Sequence, residues 1–139
     1  MIVVLFGQPH SGKTTLAKML DEFINVDGDE LRKIFKDQNY SREGRIKNLN
    51  RASDIAVYLH SIGHNVVLSL VYPYKEARDH LNSLCKDVKW FYLTYQGVRG
   101  KEQFHAKDFE IPTEENVIHI DTSGTIEDTI TQIRVSCQL

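Results

Sequence analysis

Apolar residues along the chain cluster in five short runs, and longer segments with apolar residues at helical spacing lie between them. Contiguous runs of this length predict strands that are buried on both faces of a sheet. The predicted strands span residues 2–6, 23–26, 65–71, 88–95 and 117–120. The predicted helices span residues 14–20, 30–36, 42–62, 73–85 and 126–135. Because strands and helices alternate throughout, the pattern predicts an α/β fold with a five-stranded parallel sheet covered by helices on both faces.

The longest predicted helix, residues 42–62, combines an apolar stripe with a polar face. The stripe is formed by Ile46, Leu49, Ser53, Ala56 and Leu59. Arg45, Asn48 and Arg51 recur at every third position, so successive members lie about 60° apart around the helix axis. We therefore expect these three residues on one polar face opposite the stripe. An ordinary solvated helix face is the alternative interpretation.

Composition limits the functional classes that the chain can belong to. With 139 residues it has the size of one domain, residues 1–139, with a single core. The formal net charge is only −2, which gives no electrostatic basis for binding nucleic acid or an anionic membrane. No apolar run reaches the length of a membrane span. Cys85 and Cys137 lack the spacing of metal or redox motifs, so we expect reduced thiols and a cytoplasmic protein.

Residues 7–14, Gly-Gln-Pro-His-Ser-Gly-Lys-Thr, directly follow the first predicted strand and fit the phosphate-binding P-loop pattern. Glycines let the backbone N–H groups approach phosphate oxygens, and the start of the next helix adds partial positive charge. In this pattern Lys13 reaches the β- and γ-phosphates, and the Thr14 hydroxyl is placed to ligate Mg²⁺. We therefore predict that the chain binds a nucleoside triphosphate. The predicted contact residues are Gly7, Gln8, Pro9, His10, Ser11, Gly12, Lys13, Thr14 and Thr15.

Two carboxylates, Asp27 and Asp29, follow the second predicted strand. The carboxyl ends of parallel strands meet at one edge of a sheet, so these side chains are predicted to lie near the P-loop. Phosphoryl transfer needs a metal partner and often a base that accepts the proton of the acceptor hydroxyl. We predict that Lys13, Asp27 and Asp29 are catalytic and that Thr14 and Asp27 hold Mg²⁺. A helix N-cap is the alternative role for the aspartates.

Arginines accumulate near the same edge of the predicted sheet. Arg32 and Arg78 each follow a strand end, and Arg45 and Asn48 lie on the polar helix face described above. A cluster of cations at this edge is suited to an acceptor that carries negative charge.

Three motifs in this order resemble the adenylylsulfate kinases. They are Asp-Gly-Asp-Glu-Leu-Arg at 27–32, Tyr40-Ser41 followed by Arg45, Asn48 and Arg51, and Pro73-Tyr74 with Arg78-Asp79. The resemblance runs from the first strand to about Asp79 and returns faintly at residues 120–123. It implies a three-layer P-loop NTPase fold, often dimeric, that uses ATP and Mg²⁺. It also implies transfer of the ATP γ-phosphoryl group to the 3′-hydroxyl of adenosine 5′-phosphosulfate.

The same resemblance implies roles for residues on the acceptor side. Tyr40 is expected to stack on the adenine of the acceptor, where the family usually has Phe. Arg32, Arg45 and Asn48 are expected to hold its phosphosulfate and ribose. The full predicted substrate-binding set is Arg32, Tyr40, Arg45, Asn48, Tyr74 and Arg78.

Departures from the family pattern leave the acceptor open. Tyr72 stands where the family has Ser, Gly44 replaces an acidic residue, and residues 97–112, which we predict to form a lid, lack the family's usual lid sequence. One alternative is a related kinase that acts on another nucleotide-like or anionic metabolite. A nucleotide-dependent switch and a non-catalytic module are further alternatives. The predicted partners are a small-molecule acceptor and a second copy of the chain.

Overall fold

The computed structural model describes residues 1–9, 11–95 and 106–139. Its strands are β1 Ile2–Phe6, β2 Ile24–Asp27, β3 Val66–Leu70, β4 Val88–Thr94 and β5 Val117–Asp121. Its helices are α1 Lys13–Met19, α2 Gly28–Phe35, α3 Arg42–Ser61, α4 Lys75–Leu84 and α5 Ile126–Ser136. The five strands form one parallel sheet in the order β2-β3-β1-β4-β5. The predicted α/β fold is confirmed.

Alternate side chains of the central strand β1 enter two separate cores, which explains why the whole strand is apolar. Ile2, Val4 and Phe6 pack in the core beneath α3 and α4, whereas Val3 and Leu5 pack in the core beneath α1 and α5. All five residues are fully buried. At about 25 cal/mol per Å² of apolar surface, burial on both faces is the main term that stabilises such a sheet.

Helix α2 begins at Gly28, two residues earlier than predicted, because the side chain of Asp27 caps it. A side chain at residue 28 would place its Cβ only 2.8 Å from Leu70 Cδ2. Glycine therefore lets the first turn of α2 pack directly on the end of β3.

Helix α4 begins at Lys75. The sequence predicted that it would begin two residues earlier, at Pro73. Tyr72 has a left-handed backbone, with φ of 46°, so residues 71–74 form an irregular turn before the helix. The Tyr72 side chain is fully buried, and its hydroxyl lies 2.7 Å from the hydroxyl of Ser53. This contact anchors the turn on α3.

The predicted polar face of α3 is only partly correct. Asn48 is 4% exposed and is buried together with Leu49 and Ala52, so it does not lie opposite the apolar stripe. Arg45 and Arg51 are half-buried. At the start of the helix, the Ser41 hydroxyl accepts a hydrogen bond from the Gly44 N–H group and so caps α3.

The segments that follow β1, β2 and β3 meet at the carboxyl edge of the sheet, which is where ligands bind in folds of this kind. Within the described ranges, no helix is both long and apolar enough to cross a membrane.

Candidate active site

The loop after β1 and the first turn of α1 together contain all the residues predicted to contact the nucleotide, and His10 alone among them lies outside the described residues. Gly7 and Gly12 have φ of 144° and 99°, a backbone region that favours glycine. A Cβ at residue 7 would lie 2.3 Å from the carbonyl oxygen of Leu93, so this glycine is required by packing as well. The two glycines shape the turn whose N–H groups can meet phosphate.

Lys13 folds its ammonium group back onto this loop. Its Nζ donates hydrogen bonds to the carbonyl oxygens of Gly7, at 3.0 Å, and of Gln8, at 2.9 Å. Burial lowers the pKa of Lys13 to about 8, and the nearby carboxylates of Asp29 and Asp27 oppose this shift. A phosphate oxygen is a stronger partner for a cation than a neutral carbonyl oxygen. The ammonium can therefore exchange these carbonyls for phosphate when a nucleotide binds.

Asp27 uses its two carboxylate oxygens for different tasks. Oδ1 accepts hydrogen bonds from the N–H groups of Asp29, at 2.9 Å, and Glu30, at 3.3 Å, and so caps α2. Oδ2 accepts the hydroxyl of Thr14 at 3.4 Å. The alternative role as a helix cap is thus realised at Asp27. Carboxylate and hydroxyl oxygens are ligands that Mg²⁺ prefers, so the Thr14–Asp27 pair fits this ion.

Asp29 lies in the first turn of α2 with its side chain exposed. In the described part of the chain no hydrogen bond reaches its carboxylate. The charge of Asp29 nevertheless raises the pKa of Lys13 more strongly than that of Asp27 does. A free carboxylate beside the lysine of a phosphate loop is available to accept a proton.

On the acceptor side, the largely buried side chain of Arg32 packs against the exposed ring of Tyr40. The guanidinium carbon of Arg32 lies 4.1 Å from the centre of the Tyr40 ring, and Tyr40 is 58% exposed. Arg32 also donates to the carbonyl oxygen of Asn39 at 3.1 Å and pairs with Asp37 at 3.4 Å. The ring is therefore held in a fixed orientation while it remains accessible for stacking.

The side chain of Asn48 accepts a hydrogen bond from Arg51. Arg51 Nη2 donates to Asn48 Oδ1 at 2.8 Å and to Asp37 Oδ2 at 3.0 Å. The backbone N–H of Asn39 and the guanidinium of Arg51 hold the pKa of Asp37 below its usual range. Sequence analysis missed Asp37, since an acidic residue in a polar turn carries no pattern of its own.

Arg45 and Tyr74 share one carboxylate, that of Asp108. The Tyr74 hydroxyl donates to both oxygens of Asp108, at 3.0 and 3.1 Å, and Arg45 Nη1 lies 3.9 Å from Asp108 Oδ1. The Tyr74 ring is 1% exposed beneath the guanidinium of Arg42, and burial together with Asp108 raises the pKa of its phenol. Asp108 was also missed, because it lies in the stretch that the sequence identified only as a lid.

Arg78 lies near the predicted edge of the sheet, against the turn after β3, but it is buried there, and its role in substrate binding stays a prediction. Arg78 is 2% exposed and donates to the carbonyl oxygens of Tyr72, at 2.8 Å, and Glu110, at 3.0 Å. It also pairs with Glu114 at 3.3 Å. The hydrogen bonds of its guanidinium connect the turn after β3 to the segment before β5. In this structure the guanidinium is therefore occupied by contacts within the protein.

Of the predicted lid, residues 97–105 lie outside the described residues. Residues 106–112 have no regular secondary structure and lie against the carboxyl edge of the sheet. The ring of Phe109 packs 5.6 Å from that of Tyr92, and the N–H of Glu110 donates to the carbonyl oxygen of Pro73 at 2.7 Å. The lid function itself stays a prediction.

A family profile described as "Adenylylsulphate kinase" matches residues 1–108. The chain belongs to the adenylylsulphate kinase family. The match includes the phosphate loop, both aspartates and the aromatic and basic residues of the acceptor side.

Two curated relatives with different names are similar to this chain. A probable adenylyl-sulfate kinase of Aeropyrum pernix is 33% identical over 96 residues, which cover 63% of this chain and 52% of the relative. A cytidine diphosphoramidate kinase of Campylobacter jejuni is 32% identical over 102 residues, which cover 68% of this chain and 58% of the relative. The chain thus spans little more than half the length of these relatives.

Among solved structures, the Mycobacterium tuberculosis APS kinase in complex with AMPPNP and APS superposes with a TM-score of 0.81. The two are 19% identical in sequence, and the superposition covers 99% of this chain and 97% of the other. This likeness extends the shared fold to nearly all of the chain, including the part beyond residue 108 that the adenylylsulphate kinase profile does not match.

Proposed function

We propose that the protein is an ATP-dependent phosphotransferase that phosphorylates a hydroxyl group of a nucleotide acceptor, with the 3′-hydroxyl of adenosine 5′-phosphosulfate (APS) as the first candidate. The observation that carries this proposal is the arrangement of Lys13, Thr14, Asp27 and Asp29 around one phosphate loop. Membership of the adenylylsulphate kinase family supports the same reaction class.

On the donor side, each residue has a task in this proposal. The loop N–H groups and Lys13 bind the phosphates of ATP and balance the charge that develops on the leaving group. Mg²⁺, held by Thr14 and Asp27, would supply further neutralisation of the phosphate oxygens. The acceptor hydroxyl loses its proton to Asp29 as its oxygen forms the new bond to phosphorus. The bond between the γ-phosphorus and the bridging oxygen breaks, and ADP leaves.

On the acceptor side, the exposed ring of Tyr40 is the proposed stacking surface for the base. Arg45 and Asn48 are proposed to bind the anionic group, and Arg32 fixes the ring of Tyr40. A bidentate or charge-assisted contact at Arg45 is stronger than a neutral hydrogen bond, so Arg45 is expected to dominate anion binding. Association of two copies stays a prediction of the family resemblance.

A second acceptor class is a cytidine diphosphate derivative. The Campylobacter relative named for such a substrate is as similar to this chain as the adenylyl-sulfate kinase relative. Asp108 beside Arg45 lowers the net positive charge available to an acceptor, and this applies equally to APS and to cytidine diphosphoramidate, which carry the same formal charge. Stacking on Tyr40 does not distinguish adenine from cytosine, because every base offers a π-face.

The test is an ADP-release assay with ATP and Mg²⁺ over a panel of acceptors: APS, AMP, cytidine diphosphoramidate and CDP. We expect ADP release that depends on one nucleotide of the panel and is absent from the Lys13→Ala variant. Rapid ADP release without any acceptor, or GTP bound in preference to ATP, would instead support a hydrolase or a switch. No release with any acceptor at saturating ATP would refute the proposal.

A further inference from the structure

Gln8, at a position that the phosphate-loop pattern leaves unspecified, makes a contact that phosphate binding does not require. Its amide nitrogen donates to the carbonyl oxygen of Ala106 at 2.9 Å, and its amide oxygen accepts the N–H of Ala106 at 2.9 Å. The two residues are 98 positions apart in sequence, and Ala106 is 5% exposed. A side chain that pairs with both the N–H and the carbonyl oxygen of one residue must end in both an acceptor and a donor. Among side chains of this length, only an amide such as that of Gln provides both.

Ala106 begins a segment, residues 106–114, that we name the strap. Beyond Ala106 the strap is fixed to the turn after β3. The N–H of Glu110 donates to the carbonyl oxygen of Pro73 at 2.7 Å, and the Glu110 carboxylate accepts the N–H of Lys75 at 2.8 Å. Because Tyr74 offers no side-chain cap to α4, Glu110 supplies that cap from the strap. Gln8 thus ties the strap to the β1 loop, and Glu110 ties it to the β3 turn.

Between these two attachments lies Asp108, which contacts the acceptor side of the site. Its carboxylate accepts the hydroxyl of Tyr74 and lies 3.9 Å from Arg45. Asp108 is two residues from Ala106, so the position of the Ala106 backbone limits where this carboxylate can stand. A shift of about an ångström in such a group is enough to weaken substrate positioning.

We infer that the side chain of Gln8 is a positioning residue for the acceptor: it fixes the strap on the phosphate loop and thereby holds Asp108 against Tyr74 and Arg45. This inference rests on the proposed function, since it assigns Arg45 to the acceptor. The backbone of Gln8 belongs to the donor site, because its carbonyl oxygen accepts a hydrogen bond from Lys13. One residue therefore serves the donor through its backbone and the acceptor through its side chain.

The decisive variant is Gln8→Met, which keeps the length of the side chain and removes both hydrogen bonds. Gln132→Met, the same change at an exposed position of α5, is the matched control. In Gln8→Met we expect the KM of the acceptor to rise about tenfold, because Asp108 is no longer held where it orients Arg45 and Tyr74. The Kd of AMPPNP should change clearly less than the KM of the acceptor, because the loop N–H groups and the Gln8 carbonyl remain in place. Gln132→Met should change neither constant.

Hydrogen exchange gives a readout that does not depend on the acceptor. The amide of Ala106 should exchange about tenfold faster in Gln8→Met than in wild type or Gln132→Met, because its acceptor is gone. Unchanged exchange, or equal changes in the constants for acceptor and nucleotide, would overturn the inference. If wild type phosphorylates no nucleotide of the panel, the proposed function fails, and the exchange rate still decides whether Gln8 holds the strap.

Discussion

The donor and acceptor sides of the candidate site are built in different ways. The phosphate-binding part of the donor side is one contiguous segment, residues 7–15, whose shape is set by two glycines with positive φ and by backbone groups. The acceptor side is assembled from separate segments that meet through long-range pairs, such as Tyr74 with Asp108, 34 residues away. The donor side is therefore encoded locally, whereas the acceptor side depends on tertiary structure.

This difference has an electrostatic counterpart. On the donor side Lys13 binds neutral carbonyl oxygens, which phosphate can replace. On the acceptor side Arg32 pairs with Asp37 at 3.4 Å, and Arg45 approaches Asp108 at 3.9 Å. These carboxylates orient the two arginines and also lower the net positive charge that an incoming anion meets. Substitutions should consequently have large and simple effects on the donor side and smaller, selective effects on the acceptor side.

Lys13→Ala is expected to have the largest effect. Loss of its ammonium should lower kcat by at least about a thousandfold, since a positioned cation stabilises the charge that develops in phosphoryl transfer. The fold should persist, because among the described residues the Lys13 side chain donates hydrogen bonds only within its own loop. Steady-state kinetics and circular dichroism of the same preparation measure both quantities. Near wild-type turnover would remove the basis of the donor-side assignment.

Asp29→Asn should lower kcat about a hundredfold, in the range of a lost general base. The Kd of AMPPNP should change much less, since the carboxylate acts mainly in the transition state. Asp27→Asn is the matched comparison: asparagine still caps α2, so its effect should appear as a higher Mg²⁺ requirement. A metal titration separates the two aspartates, and identical behaviour of both variants would contradict their different roles.

Arg45→Ala should raise the KM of the acceptor about tenfold and leave that of ATP nearly unchanged, because one charge-assisted contact is lost. Arg134→Ala, on α5, is the control for loss of an arginine; its partners are Glu22 and the Met19 carbonyl. Asn48→Ala is less clean, since Asn48 is buried and its truncation also removes one of the two described hydrogen-bond partners of Arg51, leaving Asp37. Equal changes for both substrates would assign this side of the site to structure.

The pH dependence should report on the donor side alone. With a pKa of about 8 in the free protein, Lys13 loses its charge as pH rises through that value. Because kcat/KM reports the free enzyme, kcat/KM for ATP should fall above pH 8, by about tenfold per pH unit. Lys13→Arg should abolish this fall, since arginine stays protonated there. A profile that is flat to pH 10 would show that the ammonium is not desolvated as the structure indicates.

The sequence predicted what depends on local pattern. The five strands, the phosphate loop and the two aspartates follow from contiguous apolar runs and a fixed motif, and the strands and helices lie where they were predicted to within a few residues. The start of α4 was wrong because proline often opens a helix, whereas here the left-handed Tyr72 delays it. Burial of Asn48 and Arg78 was not predictable either, because each is satisfied by residues that the fold brings from elsewhere.

The most direct test of the central claim is transfer of radiolabelled γ-phosphate from ATP to the panel of nucleotides. We predict label in a phosphorylated nucleotide product, formed only when ATP, Mg²⁺ and one particular acceptor are all present, and absent with Lys13→Ala. Label that appears only as inorganic phosphate, at a rate independent of every acceptor, would contradict the proposal that this protein is a nucleotide-directed kinase.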